Sequence, residues 1–81
     1  MTSRKWRQVF NMAELNPIHE EILRILEDKD SSYACPVRSQ DIGDALNVSP
    51  SYVREMIALL QGLDLVRARR GRGGGYYLNY T

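Results

Sequence analysis

The sequence has very few of the residues that build metal centres and cross-links. Among its 81 residues, Cys35 is the only cysteine and His19 the only histidine. A lone cysteine cannot form an intramolecular disulfide, and a zinc site generally needs three or four ligands of these two types. We therefore expect no metal site, no cofactor and no disulfide within one chain. Cys35 is expected to be a small, half-buried residue leading into a strand, with redox sensing or a disulfide between two chains as the alternatives. His19 is expected to face solvent.

Long hydrophobic runs are also missing. No apolar stretch approaches the roughly 20 residues that cross a bilayer. The basic start of the chain lacks the apolar stretch and cleavage site of a secretory signal, so we expect a cytoplasmic protein with no membrane partner. The sequence contains no paired carboxylates in a plausible cleft and no nucleophile with a base. This argues against an enzyme and leaves no catalytic residue to name.

Acidic residues are absent from both ends of the chain, although the formal net charge is only +1. Residues 1–12 carry three basic side chains and no acid, whereas residues 13–32 hold six acids against two bases. From Leu65 onward there are four arginines and again no acid. The near-neutral total therefore conceals two basic segments that flank an acidic helix, and such a local basic patch is typical of nucleic-acid-binding surfaces.

Three segments have apolar residues at helical spacing. The first begins at Asn16-Pro17, the second has Ser39 as its expected N-cap, and the third begins at Ser49-Pro50. Their expected buried faces are Ile18, Ile22, Ile25 and Leu26; Ile42, Ala45 and Leu46; and Val53, Met56, Ile57 and Leu60. Asn47 suits a tight left-handed end to the second helix, and Gly43 lies four residues earlier, where a larger side chain would push the helices apart.

The remaining elements are predicted to be extended. Residues 33–37 form a short irregular strand, because Pro36 restricts pairing. Residues 65–70 and 76–80 form the strands of a hairpin, since the glycine-rich segment 71–75 between them cannot hold a regular element. The fold predicted for residues 16–81 is therefore α+β: a winged helix-turn-helix domain with three helices and a C-terminal β-hairpin wing. A generic helical hairpin of similar spacing is the alternative.

A winged helix-turn-helix places the start of its third helix in the major groove. The expected DNA contacts are Arg38, Ser49, Ser51, Tyr52 and Arg54 around the helices, and Arg67, Arg69, Arg70, Arg72 and Gly73 on the wing. Arg54 can pair with a guanine or contact a phosphate. Crowded like charges on a hairpin repel each other unless a polyanion neutralises them, which favours a DNA-binding wing over a merely solvated one.

Four stretches between Pro36 and Leu78 form a recognisable pattern. They are Pro36-Val37-Arg38-Ser39-Gln40-Asp41-Ile42, Val48-Ser49-Pro50-Ser51-Tyr52-Val53, Leu65-Val66-Arg67 and Arg70-Gly71-Arg72-Gly73-Gly74-Gly75-Tyr76-Tyr77-Leu78. Together they resemble the DNA-binding domain of the iron–sulfur cluster regulator family of bacterial repressors, and the glycine-rich wing is the most specific part. The resemblance implies that the third helix reads the major groove and that the wing contacts the minor groove.

The sequence also departs from that family. Its members have a long C-terminal dimerisation helix and a group of cluster-binding cysteines. Here the sequence ends at Thr81 just after the wing and holds one cysteine. The resemblance is therefore not extended to iron–sulfur sensing or to the family's way of dimerising.

Residues 1–15 form a basic, amphipathic N-terminal segment, in which Trp6, Val9, Phe10 and Ala13 fall at helical spacing. This segment is expected to be an extra helix packed on its own domain, a helix that forms a homodimer with a twin subunit, or a basic arm that orders on DNA. A tail disordered in solution is the remaining alternative.

The function predicted is sequence-specific binding of double-stranded DNA by a small bacterial transcriptional regulator. The alternative is a winged-helix protein-interaction module that does not bind DNA, with the acidic first helix as a contact face. RNA is a weaker expectation, because the deep major groove of an RNA duplex excludes a reading helix.

Overall fold

A computed structural model describes residues 16–79 of the chain. Its elements in chain order are α1 (Pro17–Asp28), α2 (Ser39–Leu46), α3 (Pro50–Gly62), β1 (Val66–Arg69) and β2 (Gly75–Leu78). The two strands form an antiparallel hairpin. The α+β winged helix-turn-helix order predicted from the sequence is thus confirmed. The N-terminal helix or arm predicted at 1–15 lies outside the described residues, as does Tyr80, the last residue of the predicted second strand. Within the described part, no helix is long and apolar enough to span a bilayer.

The side chain of His19 takes part in capping the start of α1. Asn16 is the N-cap and Pro17 the first helical residue, as predicted. The backbone N–H of Asn16 donates to Nδ1 of His19 at 3.1 Å. His19 is only 4% exposed, so the expectation that it faces solvent was wrong. The ring folds back over the first turn because it supplies an acceptor to a backbone N–H at the helix start.

The tight turn between α2 and α3 has the predicted chemistry. Asn47 ends α2 in the left-handed region at φ 60°. The Ser49 hydroxyl oxygen caps α3 by accepting from the backbone N–H of Tyr52 at 3.2 Å. The prediction of a Ser39 N-cap was wrong by one residue, because Arg38 takes that position and Ser39 is the first residue of α2.

The core lies between the three helices and the base of the hairpin. Its buried apolar residues are Ile22, Leu23, Leu26, Val37, Ile42, Val53, Ile57, Leu60, Leu65, Val66 and Leu78. Ala45 is exposed, contrary to prediction, and Gly43 is buried in its place. A Cβ on Gly43 would lie 2.6 Å from the carbonyl oxygen of Val48, so α2 presents its backbone, rather than an alanine methyl, to the start of α3.

The extended segment predicted at 33–37 reduces to one bridge. Val37 pairs with Tyr76, and each backbone N–H donates to the other's carbonyl at 2.8 Å. Before it, Ser32 and Cys35 form a turn with reciprocal backbone hydrogen bonds of 3.2 and 3.1 Å. Cys35 is exposed rather than half-buried, because it lies in this turn and not in a strand.

Candidate nucleic-acid interface

The start of α3 presents a polar surface to solvent. Ser51, Tyr52 and Arg54 are all exposed. The two terminal nitrogens of Arg54 donate to the hydroxyl of Ser39 on α2 at 3.3 Å and to that of Ser51 at 3.2 Å. The guanidinium is therefore held at the junction of the two helices before any ligand arrives. Its remaining N–H groups can address a phosphate or a guanine edge.

The hairpin has two different faces. Side chains alternate along a strand, so Val66 and Ala68 lie on one face of β1 and Arg67 and Arg69 on the other. Val66 is buried in the core. Arg67 pairs with Tyr77 on β2 across the opposite, outer face. Arg67 and Arg69 therefore share the outer face of the hairpin.

Two of the wing arginines have partners within the chain. Arg67 lies 3.7 Å from a carboxylate oxygen of Asp64, in an ion pair whose side chains are 54% and 69% exposed. Arg69 donates to the carbonyl oxygen of Tyr33 at 3.1 Å. Its guanidinium carbon also lies 5.2 Å from the centre of the Tyr33 ring. The Tyr33 ring in turn packs edge-on against Tyr77, with centres 6.1 Å apart and planes at 83°.

The other two wing arginines lie at the tip. Arg70 and Arg72 are exposed, and within residues 16–79 neither has a hydrogen bond or ion pair. Gly71 and Gly73 adopt φ of 94° and 75°, a region that L side chains rarely enter. The tip thus combines two solvent-facing charges with a backbone that can approach another molecule closely.

A cleft of about 420 Å³ separates the hairpin from the ends of α2 and α3. It is lined by Arg38, Ser39, Gln61, Ala68, Arg69, Arg70, Gly74, Gly75 and Tyr76. Three of these residues are arginines and none is acidic, so every charged residue that lines the cleft is basic. The cleft is a natural place for an anion such as a phosphodiester.

Two glycines in the lining of this cleft allow backbone segments to approach each other closely. A Cβ on Gly75 would lie 2.6 Å from the carbonyl oxygen of Val37, and one on Gly74 would overlap the carbonyl oxygen of Arg69. Glycine at 75 therefore allows the hairpin to lie against Val37, whereas glycine at 74 allows the backbone of the hairpin to close on itself at its tip. From the sequence alone these two residues are part of the tip, but Gly75 is the first residue of β2.

The fold brings some of the predicted contact residues together and separates others. Arg38, beside the start of α2, and Arg70 both line the cleft. Arg72 and Gly73 lie beyond the cleft at the tip, and Ser49 is occupied as a cap. Sequence reasoning missed the residues that hold the arginines, namely Ser39, Asp64 and Tyr33. Ser39 lies 15 residues from Arg54 and Tyr33 lies 36 from Arg69, so these two pairs leave no local pattern. Asp64 is three residues before Arg67, and this local spacing could have identified it.

Comparison with protein-family models matches residues 19–81 to Rrf2, which is described as an iron-dependent transcriptional regulator. Among solved structures, CymR (YrzC), the global cysteine regulator of B. subtilis, is 25% identical with a TM-score of 0.62, covering 82% of this chain and 52% of that one. IscR of T. potens is 22% identical with a TM-score of 0.57, covering 82% and 49%. The chain thus spans about half the length of these structures. Comparison with curated proteins gives no match.

Proposed function

Because this chain belongs to the Rrf2 family of iron-dependent transcriptional regulators, we propose that its winged helix-turn-helix domain binds double-stranded DNA in a sequence-specific manner. The family match runs from the first turn of α1 through the whole wing. The proposed role is that of a small bacterial transcriptional regulator acting in the cytoplasm, where its DNA partner lies.

The start of α3 is proposed to enter the major groove. Arg54 reads a base edge, because its two hydroxyl partners restrict the direction of the guanidinium and reduce the entropy lost on binding. Ser51 and Tyr52, exposed beside it, contact the sugar–phosphate backbone. The Ser49 hydroxyl caps the helix with its oxygen and retains its hydrogen for a phosphate.

The wing is proposed to supply the sequence-independent part of the affinity. Arg70 and Arg38 neutralise a phosphate at the cleft, while Arg72 and the Gly73 backbone approach the minor groove. Arg67 adds a phosphate contact, since an ion pair as exposed as that with Asp64 exchanges partners at little cost. The observation that carries the proposal is the cleft lined by three arginines and no acid.

An iron–sulfur cluster does not fit the residues present. The sequence holds one cysteine. Between residues 16 and 79, no group of three or more His, Cys, Asp or Glu side chains could hold a metal ion. We therefore derive no step of DNA binding through iron, and the proposed activity depends on this chain's own side chains.

Analytical ultracentrifugation of the 81-residue chain with a panel of duplexes tests the proposal. We expect uptake of duplex DNA that weakens steeply with salt, because phosphate contacts release counterions. A homodimer formed through residues 1–15 would sediment as two chains per duplex and require half-sites about one helical turn apart. No uptake of any duplex at low ionic strength would refute the proposal. Binding to a protein partner that persists after Arg70→Ala and Arg72→Ala substitution would instead indicate an interaction module.

A further inference from the structure

We infer that Arg69 is a positioning residue, which fixes the wing to the segment after α1 through Tyr33 and so sets the angle at which the tip meets DNA. The expected effect on DNA binding rests on the proposed function, whereas the attachment of the hairpin does not. We call Arg69, Tyr33 and Tyr77 the wing clamp.

The clamp holds one arginine by two interactions at once. The N–H group of Arg69 donates to the Tyr33 carbonyl oxygen at 3.1 Å, and the charged group also lies over the Tyr33 ring, 5.2 Å from its centre. A hydrogen bond from a charged donor is stronger than a neutral one, and stacking on an aromatic face adds cation–π attraction. Together they restrict a side chain that would otherwise sample many rotamers.

The clamp engages both strands of the wing. Arg69 is the last residue of β1, whereas Tyr77, which packs edge-on against the same Tyr33 ring, lies on β2. Tyr33 belongs to neither strand and follows α1. A single residue of the body therefore contacts both strands on their outer face.

The base and the distal part of the hairpin are attached differently. Val66 and Leu78 pair at the base and are buried in the core. Nearer the tip, the Val37–Tyr76 bridge joins β2 to the body, and Arg69 joins the end of β1 to it. Without Arg69, the end of β1 would lose its hydrogen bond to the body and would depend more on its pairing with β2. The tip that carries Arg70 and Arg72 would then lose one of its attachments to the body.

If Arg69 contacted DNA directly, substitutions of Arg69 and Tyr33 would affect DNA binding differently than if Arg69 only positioned the wing. A residue that neutralises a phosphate contributes to the salt dependence of binding. The affinity lost on replacing such a residue would be the same whether or not Tyr33 is present. A positioning residue shares part of its effect with Tyr33, because either substitution removes the contact between the Arg69 guanidinium and the Tyr33 ring. Tyr33 carries no charge, so its replacement leaves the number of phosphate contacts unchanged.

The experiment compares Tyr33→Ala, Tyr33→Phe, Arg69→Ala and the double Ala variant in the full chain. We expect Tyr33→Ala to raise the Kd for duplex roughly threefold to tenfold, through loss of the cation–π and aromatic contacts, with an unchanged salt dependence. Tyr33→Phe keeps the ring and the carbonyl and should match the wild type. The double variant should lose less affinity than the product of the two single effects, because the contact between Arg69 and the Tyr33 ring is already absent in each single variant.

Amide hydrogen exchange without DNA supplies the second readout. Tyr33→Ala and Arg69→Ala should both accelerate exchange in residues 66–78 while leaving α3 protected. Wild-type exchange and wild-type affinity in Tyr33→Ala, together with a salt dependence in Arg69→Ala reduced by about one phosphate contact, would overturn the inference and make Arg69 a DNA contact. If the wild-type chain bound no duplex while both variants exchanged faster, the proposed function would fail and the clamp would stand.

Discussion

The hydroxyl oxygen of Ser31 accepts a hydrogen bond from the backbone N–H of Leu78 at 3.1 Å. Ser31 is 1% exposed and Leu78 3%. The bond therefore joins the segment after α1 to the end of β2 inside the core. It gives the buried N–H of Leu78, which water cannot reach, a hydrogen-bond acceptor, and it holds the base of the wing in the core.

Replacing Ser31 with Ala should reduce the free energy of unfolding by about 1–3 kcal/mol, since the N–H of Leu78 remains buried without its acceptor. Urea denaturation measures the change. Ser32→Ala is the matched control, because the Cys35 N–H that its hydroxyl accepts from also donates to the Ser32 carbonyl. We expect that variant to lose no more than about 0.5 kcal/mol. Equal losses in the two variants would contradict a special role for Ser31.

Gly43→Ala should destabilise the domain and displace α3. The added Cβ would lie 2.6 Å from the Val48 carbonyl oxygen, so the two helices must move apart, at a cost of about 1–3 kcal/mol. Thermal or urea denaturation tests the first effect and duplex affinity the second. Gly62→Ala is the control, because no atom of another part of the fold lies within 4 Å of its Cβ position. There we expect stability to be unchanged or raised by up to about 1 kcal/mol. A Gly43→Ala protein as stable as the control would refute the close approach.

Stability should fall as the solution becomes acidic, because of His19. Burial lowers the pKa of its imidazole below the usual 6.5. Only the neutral ring can accept the Asn16 N–H at Nδ1, and Nε2 is buried without a hydrogen-bond partner in the described part of the chain. The unfolded chain therefore binds a proton first. The contribution of His19 is complete above pH 6.5 and is lost as the pH falls through the folded-state pKa.

His19→Gln tests this dependence, since glutamine cannot titrate but can accept the same backbone N–H. Between pH 7.5 and 5.5, the free energy of unfolding should decline less in the variant than in the wild type. Identical slopes for the two proteins would show that His19 does not contribute to acid sensitivity.

Substitutions on the wing and on α3 should affect DNA binding differently. The Arg70→Ala/Arg72→Ala variant should weaken binding to every duplex and reduce the salt dependence by about two phosphate contacts. Arg54→Ala should lose about 1–3 kcal/mol of discrimination at one base pair. Arg24→Ala removes an arginine paired with Glu20 on α1 and controls for charge alone. Fluorescence titrations with a panel of duplex sequences distinguish a general loss of affinity from a change in sequence preference. An equal loss of affinity for every variant on every duplex would contradict separate roles for the wing and α3.

The sequence was most informative where the signal was local. Asn47 and Ser49-Pro50 were interpreted correctly as the end of one helix and the start of the next, because a left-handed residue and a capping hydroxyl act within a few residues. The glycine-rich tip was identified for the same reason. The errors at His19 and Ala45 have a common cause. Each side chain was judged from its type and helical position, whereas the neighbouring backbone decided its burial.

The order of elements, the turn between α2 and α3 and the glycine-rich tip of the wing were determined by the sequence itself, since each depends on backbone preferences over a few residues. Only the tertiary structure decided that Arg69 meets Tyr33, 36 residues earlier, and that Ser31 meets Leu78, 47 residues later. It also decided that Arg38 and Arg70 share a cleft. Such pairings depend on how the folded chain closes around its core, and no local preference encodes which distant group will lie within hydrogen-bonding distance.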